Sequence, residues 1–137
     1  MSDVNDWNTK VIAEFRANGG RVAQFGDAPI VILNTIGAKS GALRETPLAP
    51  LVQDDGMYVF ASKAGATTNP DWYHNLKATP EISVEFRTDT FDARLTELPE
   101  AEGQKKLAEQ SVLMPQFGEY VTSAAPRLIP VFSIVRL

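Results

Sequence analysis

The amino-acid sequence predicts a mostly β, α+β domain in which short strands close into a small barrel, either complete or split. Two observations support this fold class. Apolar or alternating segments of strand length follow one another closely from residue 30 onward, and few intervals have a helical pattern. Such spacing favours a barrel over a doubly wound sheet, which needs a helix between successive strands. The chain of 137 residues is long enough for one core, so a single domain is expected over residues 1–137.

The first predicted element is an amphipathic helix near the N-terminus. Its apolar residues recur at helical spacing: Val4, Trp7, Val11, Ile12 and Phe15. Asp3 or Asn5 can cap its start, and Asn18-Gly19-Gly20 ends it. We expect its apolar face to pack on the rest of the domain.

Strands are predicted next. Residues 30–36 are nearly all apolar and β-branched, which is typical of a strand buried on both faces. The turn Asp54-Asp55-Gly56 joins a strand at residues 43–53 to another at residues 57–61. Residues 131–135 form the last predicted strand.

A second hairpin is predicted from alternation of apolar and polar residues. Its apolar positions are Ile82, Val84, Phe86, Phe91, Ala93 and Leu95. The predicted turn is Thr88-Asp89-Thr90.

Two or three shorter helices complete the predicted fold. Asn69 is suited to cap a helix that begins at Pro70 and continues to Ala78. Residues 99–112 are helical by composition, with one side formed by Ala101, Ala108 and Val112.

Composition excludes several function classes. A net charge of −4 argues against a nucleic-acid partner, which needs a basic surface. The absence of cysteine excludes disulfides, iron–sulfur clusters and cysteine–zinc sites. With a single histidine, His74, we expect no metal site. The sequence shows no signal peptide and no apolar run of membrane-spanning length, so a cytoplasmic location is expected.

Common catalytic templates are also missing. The sequence contains no GxxxxGK[ST] phosphate loop and no GxGxxG fingerprint. A serine hydrolase would need His74 as its base, and no nucleophile-elbow motif accompanies it. An exposed or hydrogen-bonded helix residue is the simpler interpretation of His74.

Two basic, glycine-marked motifs carry the functional prediction. They read GAKSGALR at residues 37–44 and ASKAGATTNPDWYHNL at residues 61–76, and each follows a predicted strand. Lysines, hydroxyls and unhindered backbone amides suit a phosphate or polyanionic tail. Trp72 and Tyr73 either face a flat ring or cap the barrel core. Together the motifs predict a phosphorylated, ring-bearing cofactor, although residue chemistry alone does not distinguish deazaflavin from FMN.

The same residues resemble a known family. Residues 35–48 match the pattern TxGxKSGxxRxTPL, which resembles the deazaflavin (F420)-dependent nitroreductase family. Residues 61–80 are similar to the second hallmark of that family, and the resemblance extends from the first helix to the last strand. It implies a split β-barrel of the FMN-binding, flavin-reductase kind that uses reduced coenzyme F420.

The resemblance also implies which residues bind the coenzyme. Lys39, Ser40 and Arg44 would hold the phosphate of its tail. The remaining implied contacts to the tail and ring are Thr46, Pro47, Ala61, Ser62, Lys63, Ala64, Gly65, Trp72, Tyr73 and Asn75.

The expected reaction is hydride transfer to a quinone, an enone or a nitro compound, with Tyr120 and Ser62 as candidate proton donors. The expected acceptor contacts are Met114, Phe117, Tyr120 and His74. Relatives that reduce nitro compounds tend to carry tyrosines where this chain has Met114 and Phe117, so quinone or enone reduction stays open beside nitro reduction. An FMN-dependent reductase and a non-catalytic F420-binding protein are the alternatives. Peripheral membrane association to reach a quinone, and monomer versus dimer, also stay open.

Overall fold

The computed structural model describes the backbone of residues 3–137 and the side chains of residues 7–137. The helices are α1 (Asp3–Ala17), α2 (Asp71–Ala78), α3 (Glu100–Leu113) and α4 (Gln116–Ala124). The strands are β1 (Val31–Ile36), β2 (Leu43–Leu48), β3 (Leu51–Gln53), β4 (Gly56–Phe60), β5 (Glu81–Phe86), β6 (Asp89–Glu97) and β7 (Val131–Arg136). Short 3₁₀ turns lie at Ala23–Phe25 and Lys63–Gly65.

The strands form one antiparallel sheet in the order β2-β1-β5-β6-β7-β4-β3. The sheet curls into a half-barrel, which confirms the mostly β split-barrel fold. Within β1, the side chains from Val31 to Thr35 are buried, as expected for a strand covered on both faces. Because Ile36 pairs with Leu43, the first motif becomes the connection between β1 and β2.

Two strand boundaries differ from the sequence-based expectation. The strand predicted at residues 43–53 is two strands, β2 and β3, at opposite edges of the sheet. Pro50 lies between them, and a proline has no N–H with which to continue a ladder. The β5–β6 turn is also displaced, because Phe86 pairs with Asp89 and leaves Arg87 and Thr88 as the turn residues. Arg87 has φ 57°, as a tight hairpin turn requires.

The core consists of three groups of buried side chains. Val11, Ile12 and Phe15 of α1 pack on the β1 side of the sheet with Val22, Ile30 and Ile32. Trp72 and Leu76 of α2 pack over the middle strands. Leu107 of α3 and Phe117 of α4 pack against Leu51, Phe60 and Ile129.

Parts of the predicted helix faces are wrong. Trp7 is 45 % exposed, and Phe25 is the one described ring that it contacts, edge to face. The Val4 side chain and the predicted capping side chains Asp3 and Asn5 lie outside the described residues. On α3, the residues that face the core are Gly103, Leu107 and Gln110. Ala101, Ala108 and Val112 are exposed instead.

The described residues include no helix that is long and apolar enough to cross a membrane. They also include no group of three or more His, Cys, Asp or Glu side chains arranged to hold a metal ion.

Candidate functional site

A groove of about 940 Å³ lies between α1, the β1–β2 connection and the start of α2. We call residues 37–42 the first loop and residues 61–69 the second loop. Helix α1 contributes Asn8, Thr9, Ile12, Ala13 and Arg16 to the groove. The first loop and β2 contribute Gly37, Ala38, Lys39, Ser40, Leu43, Arg44, Glu45 and Thr46. The second loop and α2 contribute Lys63, Pro70, Asp71, Trp72, His74 and Asn75.

The first loop is a tight hairpin that is stabilised by its own hydrogen bonds. The Gly37 amide donates to the Ala42 carbonyl (2.8 Å), and the Gly41 amide donates to the Gly37 carbonyl (2.9 Å). Ser40 Oγ accepts a hydrogen bond from the Ala42 amide at 3.1 Å. Gly41 has φ 71°, which glycine adopts without strain. The loop therefore places Lys39 and Ser40 at the rim of the groove.

Asn75 attaches the first loop to α2. Its side chain is buried, and its Oδ1 accepts a hydrogen bond from the Ala38 amide at 2.9 Å. Its Nδ2 donates to Thr35 Oγ1 at 3.1 Å. Although Asn75 lines the groove as predicted, both ends of its amide are already used to hold the protein together.

Three cations in the groove form no ion pair with the carboxylates of residues 7–137. Lys39, Arg44 and Lys63 are exposed, and none forms an ion pair with a described carboxylate. Lys63 Nζ donates to Thr68 Oγ1 at 3.2 Å. Unpaired positive charges gathered on one concave surface attract an anion. The structure thus brings together the cations that the two motifs supplied separately.

Arg16 also faces the groove, but its charge is compensated. Its guanidinium donates to Glu45 of β2 and to Glu85 of β5, with Nη2–Oε2 of Glu85 at 2.7 Å. These hydrogen bonds raise the pKa of Arg16 and lower the pKa of Glu85, to which Asn34 also donates. Arg16 therefore fixes α1 against the sheet as one wall of the groove.

The second loop has an unusual backbone. Lys63, Ala64 and Gly65 are consecutive residues with positive φ, at 48°, 52° and 84°. Residues other than glycine rarely adopt this backbone conformation. A Cβ on Gly65 would lie 2.9 Å from Ser123 Cβ and 3.1 Å from Tyr120 Cα, so α4 packs directly on this glycine.

Arg127 holds the second loop from behind. It donates five hydrogen bonds to the loop, of 2.7–3.1 Å, whose acceptors are the carbonyls of Ala61, Ser62 and Ala66 and Oδ1 of Asn69. Burial lowers the pKa of Arg127. The predicted helix cap at Asn69 is wrong. Its side chain accepts a hydrogen bond from Arg127, and the residue that directly precedes α2 is Pro70. Arg127 was not among the predicted site residues, since nothing in the local sequence marks it.

The aromatic residues of α2 divide between the groove and the core. Trp72 is 6 % exposed and packs against Phe132, with 5.8 Å between ring centroids, while it also lines the groove. Tyr73 packs on Phe132 from another side, and its hydroxyl lies 3.5 Å from Glu97 Oε1. Tyr73 does not line the groove, whereas His74 does.

Apart from His74, the predicted acceptor residues lie outside the groove. Phe117 is buried between Phe60 and Tyr120, at centroid distances of 5.5 and 5.3 Å. Met114 Sδ lies 3.5 Å from Gln110 Nε2. None of Met114, Phe117 and Tyr120 lines the groove. Of the predicted coenzyme contacts, Pro47, Ala61, Ser62, Ala64, Gly65 and Tyr73 are also absent from the lining.

The α1 wall is the part of the groove that was not predicted from the sequence. Its residues Asn8, Thr9, Ile12, Ala13 and Arg16 recur on one side of the helix. That spacing is visible in the sequence, but what this side of the helix faces is decided only when α1 packs on the sheet.

Known proteins resemble this chain in sequence and in fold. The sequence model of the family described as F420H(2)-dependent quinone reductase matches residues 7–135. The F420H(2)-dependent quinone reductase Rv1261c of Mycobacterium tuberculosis is 38% identical over 74 residues. That match covers 53% of this chain and 50% of the relative, so the chain aligns with about half the length of its curated relatives.

Two solved structures are similar over most of the chain. One, titled as an F420-H2 dependent reductase (FDR-A), is 36% identical with a TM-score of 0.68 and covers 77% of this chain and 93% of that one. The other, titled as a domain-swapped dimer, is 33% identical with a TM-score of 0.70 and covers 95% of this chain and 98% of that one.

Proposed function

The chain belongs to the F420H(2)-dependent quinone reductase family, and we propose that it is an oxidoreductase that reduces a quinone-type acceptor with reduced coenzyme F420. The family match confirms the deazaflavin-dependent family that the two motifs indicated. The observation that carries the proposal is the groove, which Trp72 lines together with three cations that pair with no described carboxylate.

The donor set fits the chemistry of this coenzyme. Its anionic tail needs fixed cations and hydroxyls, and Lys39, Ser40, Arg44 and Lys63 supply them along one side of the groove. Its flat ring needs an apolar or aromatic surface, which Trp72 supplies. When bound, the coenzyme supplies a hydride, so the protein needs neither a nucleophile nor a metal.

We propose that the chain binds and orients the coenzyme and excludes water from the reacting surface. Lys39, Ser40 and Arg44 fix the tail, and Ile12 and Ala13 of α1 offer an apolar wall that shields the reacting surface. The other coenzyme contacts predicted from the motifs belong to this proposal as well. Ser62 and Tyr120 stay the predicted proton donors, although neither side chain lines the groove.

His74 is the one predicted acceptor contact that faces the groove. We therefore propose that the quinone is bound near His74 and the α1 wall. Met114, Phe117 and Tyr120 would then act through packing, with Tyr120 against Gly65 of the second loop.

A titration separates the coenzyme alternatives. Purified protein is titrated with oxidised F420, and with FMN in parallel, and the fluorescence of each coenzyme is followed. Saturable binding of F420 without binding of FMN is expected. Binding of FMN alone would replace the proposal with an FMN-dependent reductase.

An anaerobic assay then tests catalysis. Protein, reduced F420 and menadione are mixed, and the reappearance of oxidised coenzyme is followed by absorbance, with an enone and a nitro-aromatic as parallel acceptors. A hydride and a proton convert a quinone to a hydroquinone, so oxidised coenzyme and hydroquinone should form in equal amounts. Tight coenzyme binding without acceleration by any acceptor would identify a non-catalytic F420-binding protein.

Exposed apolar side chains at the end of α3 suggest where the enzyme obtains its quinone. We propose a cytoplasmic domain that meets its quinone at a membrane surface, because the apolar side chains Val112 and Leu113 at the end of α3 are 82 % and 69 % exposed. Co-sedimentation with quinone-loaded vesicles, compared with the double variant Val112→Ser/Leu113→Ser, tests this contact. Equal sedimentation of both proteins would contradict it. Light scattering distinguishes monomer from dimer.

A further inference from the structure

We propose that Arg127 is a positioning residue for the anionic tail of the coenzyme. It would hold the second loop in the one conformation that presents Lys63 and the amides of Ser62 and Lys63 to the bound anion. This inference rests on the proposed function, and it assigns a role to a side chain that does not itself line the groove.

The first support is the number of hydrogen bonds that converge from one side chain. Arg127 Nη1 donates to Ala61 O at 3.1 Å and to Asn69 Oδ1 at 2.7 Å. Nη2 donates to Ser62 O at 2.9 Å and to Ala66 O at 2.7 Å, and Nε donates to Ala66 O at 3.1 Å. One rigid fork therefore spans the loop from its first residue to the residue before Pro70.

The second support is the direction in which the loop amides point. The peptide bonds after Ala61 and Ser62 are trans, so each carbonyl and the following N–H point in opposite directions. Because Arg127 binds the carbonyls of Ala61 and Ser62, the amides of Ser62 and Lys63 point away from it. No residue in the described part of the chain accepts a hydrogen bond from either amide.

The third support is the strained backbone. Positive φ at Lys63 and Ala64 persists only where surrounding contacts determine it. The carbonyls held by Arg127 lie on both sides of this strained pair, at Ser62 and Ala66. Without these contacts, we expect the two residues to relax and Lys63 to leave the groove.

The fourth support is charge. Every acceptor of Arg127 is neutral, and no described carboxylate lies within ion-pair distance of it. Charges that are taken out of water are usually paired with an opposite charge. Here the uncompensated charge lies behind a loop whose free amides point outward, and both favour an anion on the far side.

The experiment compares Arg127→Lys and Arg127→Ala with wild type, and with Arg21→Ala as a matched control. Arg21 is exposed and pairs only with Asp27 among the described carboxylates. Dissociation constants are measured by fluorescence for F420 and for the deazaflavin chromophore that lacks the phosphorylated tail. We expect both Arg127 variants to bind F420 about tenfold or more weakly, and the tail-less compound within about twofold of wild type. Arg21→Ala should match wild type for both.

Two further readouts keep the test independent of catalysis. Hydrogen exchange of peptides that cover residues 61–69, in protein without coenzyme, should be faster in Arg127→Lys than in wild type. Methylguanidinium added to Arg127→Ala should restore F420 affinity, whereas methylammonium at the same concentration should not. An equal loss for F420 and for the tail-less compound would show general damage and overturn the inference, as would unchanged F420 binding in Arg127→Lys.

Failure of the inference is distinguishable from failure of the proposed function. If wild-type protein binds neither F420 nor the tail-less compound, the proposed function fails and the tail-positioning role fails with it. If wild type binds F420 and Arg127→Lys binds it equally well, only the role of Arg127 fails.

Discussion

The two loops beside the groove have similar composition but are held in different ways. The first loop closes with hydrogen bonds among its own residues and needs positive φ only at Gly41. The second loop has positive φ at three consecutive residues and depends on Arg127, more than 55 residues away in sequence. A glycine can carry a local turn by itself, whereas a strained non-glycine backbone needs support from outside. Similar motifs therefore respond differently to mutation.

The largest expected effect is the loss of coenzyme affinity when two exposed cations of the groove are removed. In the double variant Lys39→Ala/Arg44→Ala, F420 binding should weaken by about 3–6 kcal/mol, at about 1.5–3 kcal/mol for each charged hydrogen bond. Fluorescence titration measures the loss. The control Lys10→Ala/Lys105→Ala makes the same change in net charge with side chains that do not line the groove. If the control loses as much affinity, general charge rather than the first loop attracts the tail.

The next prediction compares the stability effects of replacing one glycine in each loop. Gly65→Ala should lower the free energy of unfolding by about 2–4 kcal/mol, since its Cβ would meet Ser123 and Tyr120 and its φ is 84°. Gly41→Ala should cost only about 1 kcal/mol, because its φ is 71° and nothing lies within 4 Å of the new Cβ. Urea unfolding measures both. Equal losses would mean that α4 does not support the second loop.

Asn75→Ala removes the main attachment of the first loop to α2. We expect a loss of about 1–3 kcal/mol in the free energy of unfolding, because Thr35 Oγ1 and the Ala38 amide lose their partner. F420 affinity should fall as well, since the loop that carries Lys39 loses its anchor. Asn18→Ala, on an exposed residue, is the control. Unchanged stability would show that the first loop needs no anchor beyond its own hydrogen bonds.

The smallest expected effect is the pH dependence of the contact between α1 and the sheet. The hydrogen bond from Arg16 lowers the pKa of Glu85 below its ordinary value of 4.5. The folded state therefore binds this proton less tightly than the unfolded state. Stability from the pair is present above the ordinary value and is lost as the pH falls through the folded-state value.

Arg16→Met should flatten the acid dependence of the free energy of unfolding. The change should be below about 1 kcal/mol, because Arg16 is partly exposed and solvent screens the pair. Arg21→Met removes a fully solvated pair and is the control. Urea unfolding at pH 3–6 measures the slopes, and parallel slopes for Arg16→Met and wild type would contradict the assignment.

The sequence was sufficient where the signal is local. The alternation of apolar and polar residues predicted β5 and β6, and the run of apolar residues predicted β1. Both predictions work because burial of one or both faces of a strand determines which of its residues are apolar. The two motifs supplied Lys39, Arg44 and Lys63, which the structure brings together in one groove. The break at Pro50 and the shifted turn at Arg87 were missed, since register depends on partner strands.

By itself, the sequence determined the mostly β fold class, the cofactor motifs and the family. Only the tertiary structure decided that α1 forms a wall of the groove and that Tyr73 turns away from it. It also decided that Met114, Phe117 and Tyr120 pack in the core group of Leu107 rather than in the groove, and that Arg127 holds the second loop. The physical reason is range: propensity and periodicity act within a few residues, whereas these contacts join segments that meet only when the sheet curls.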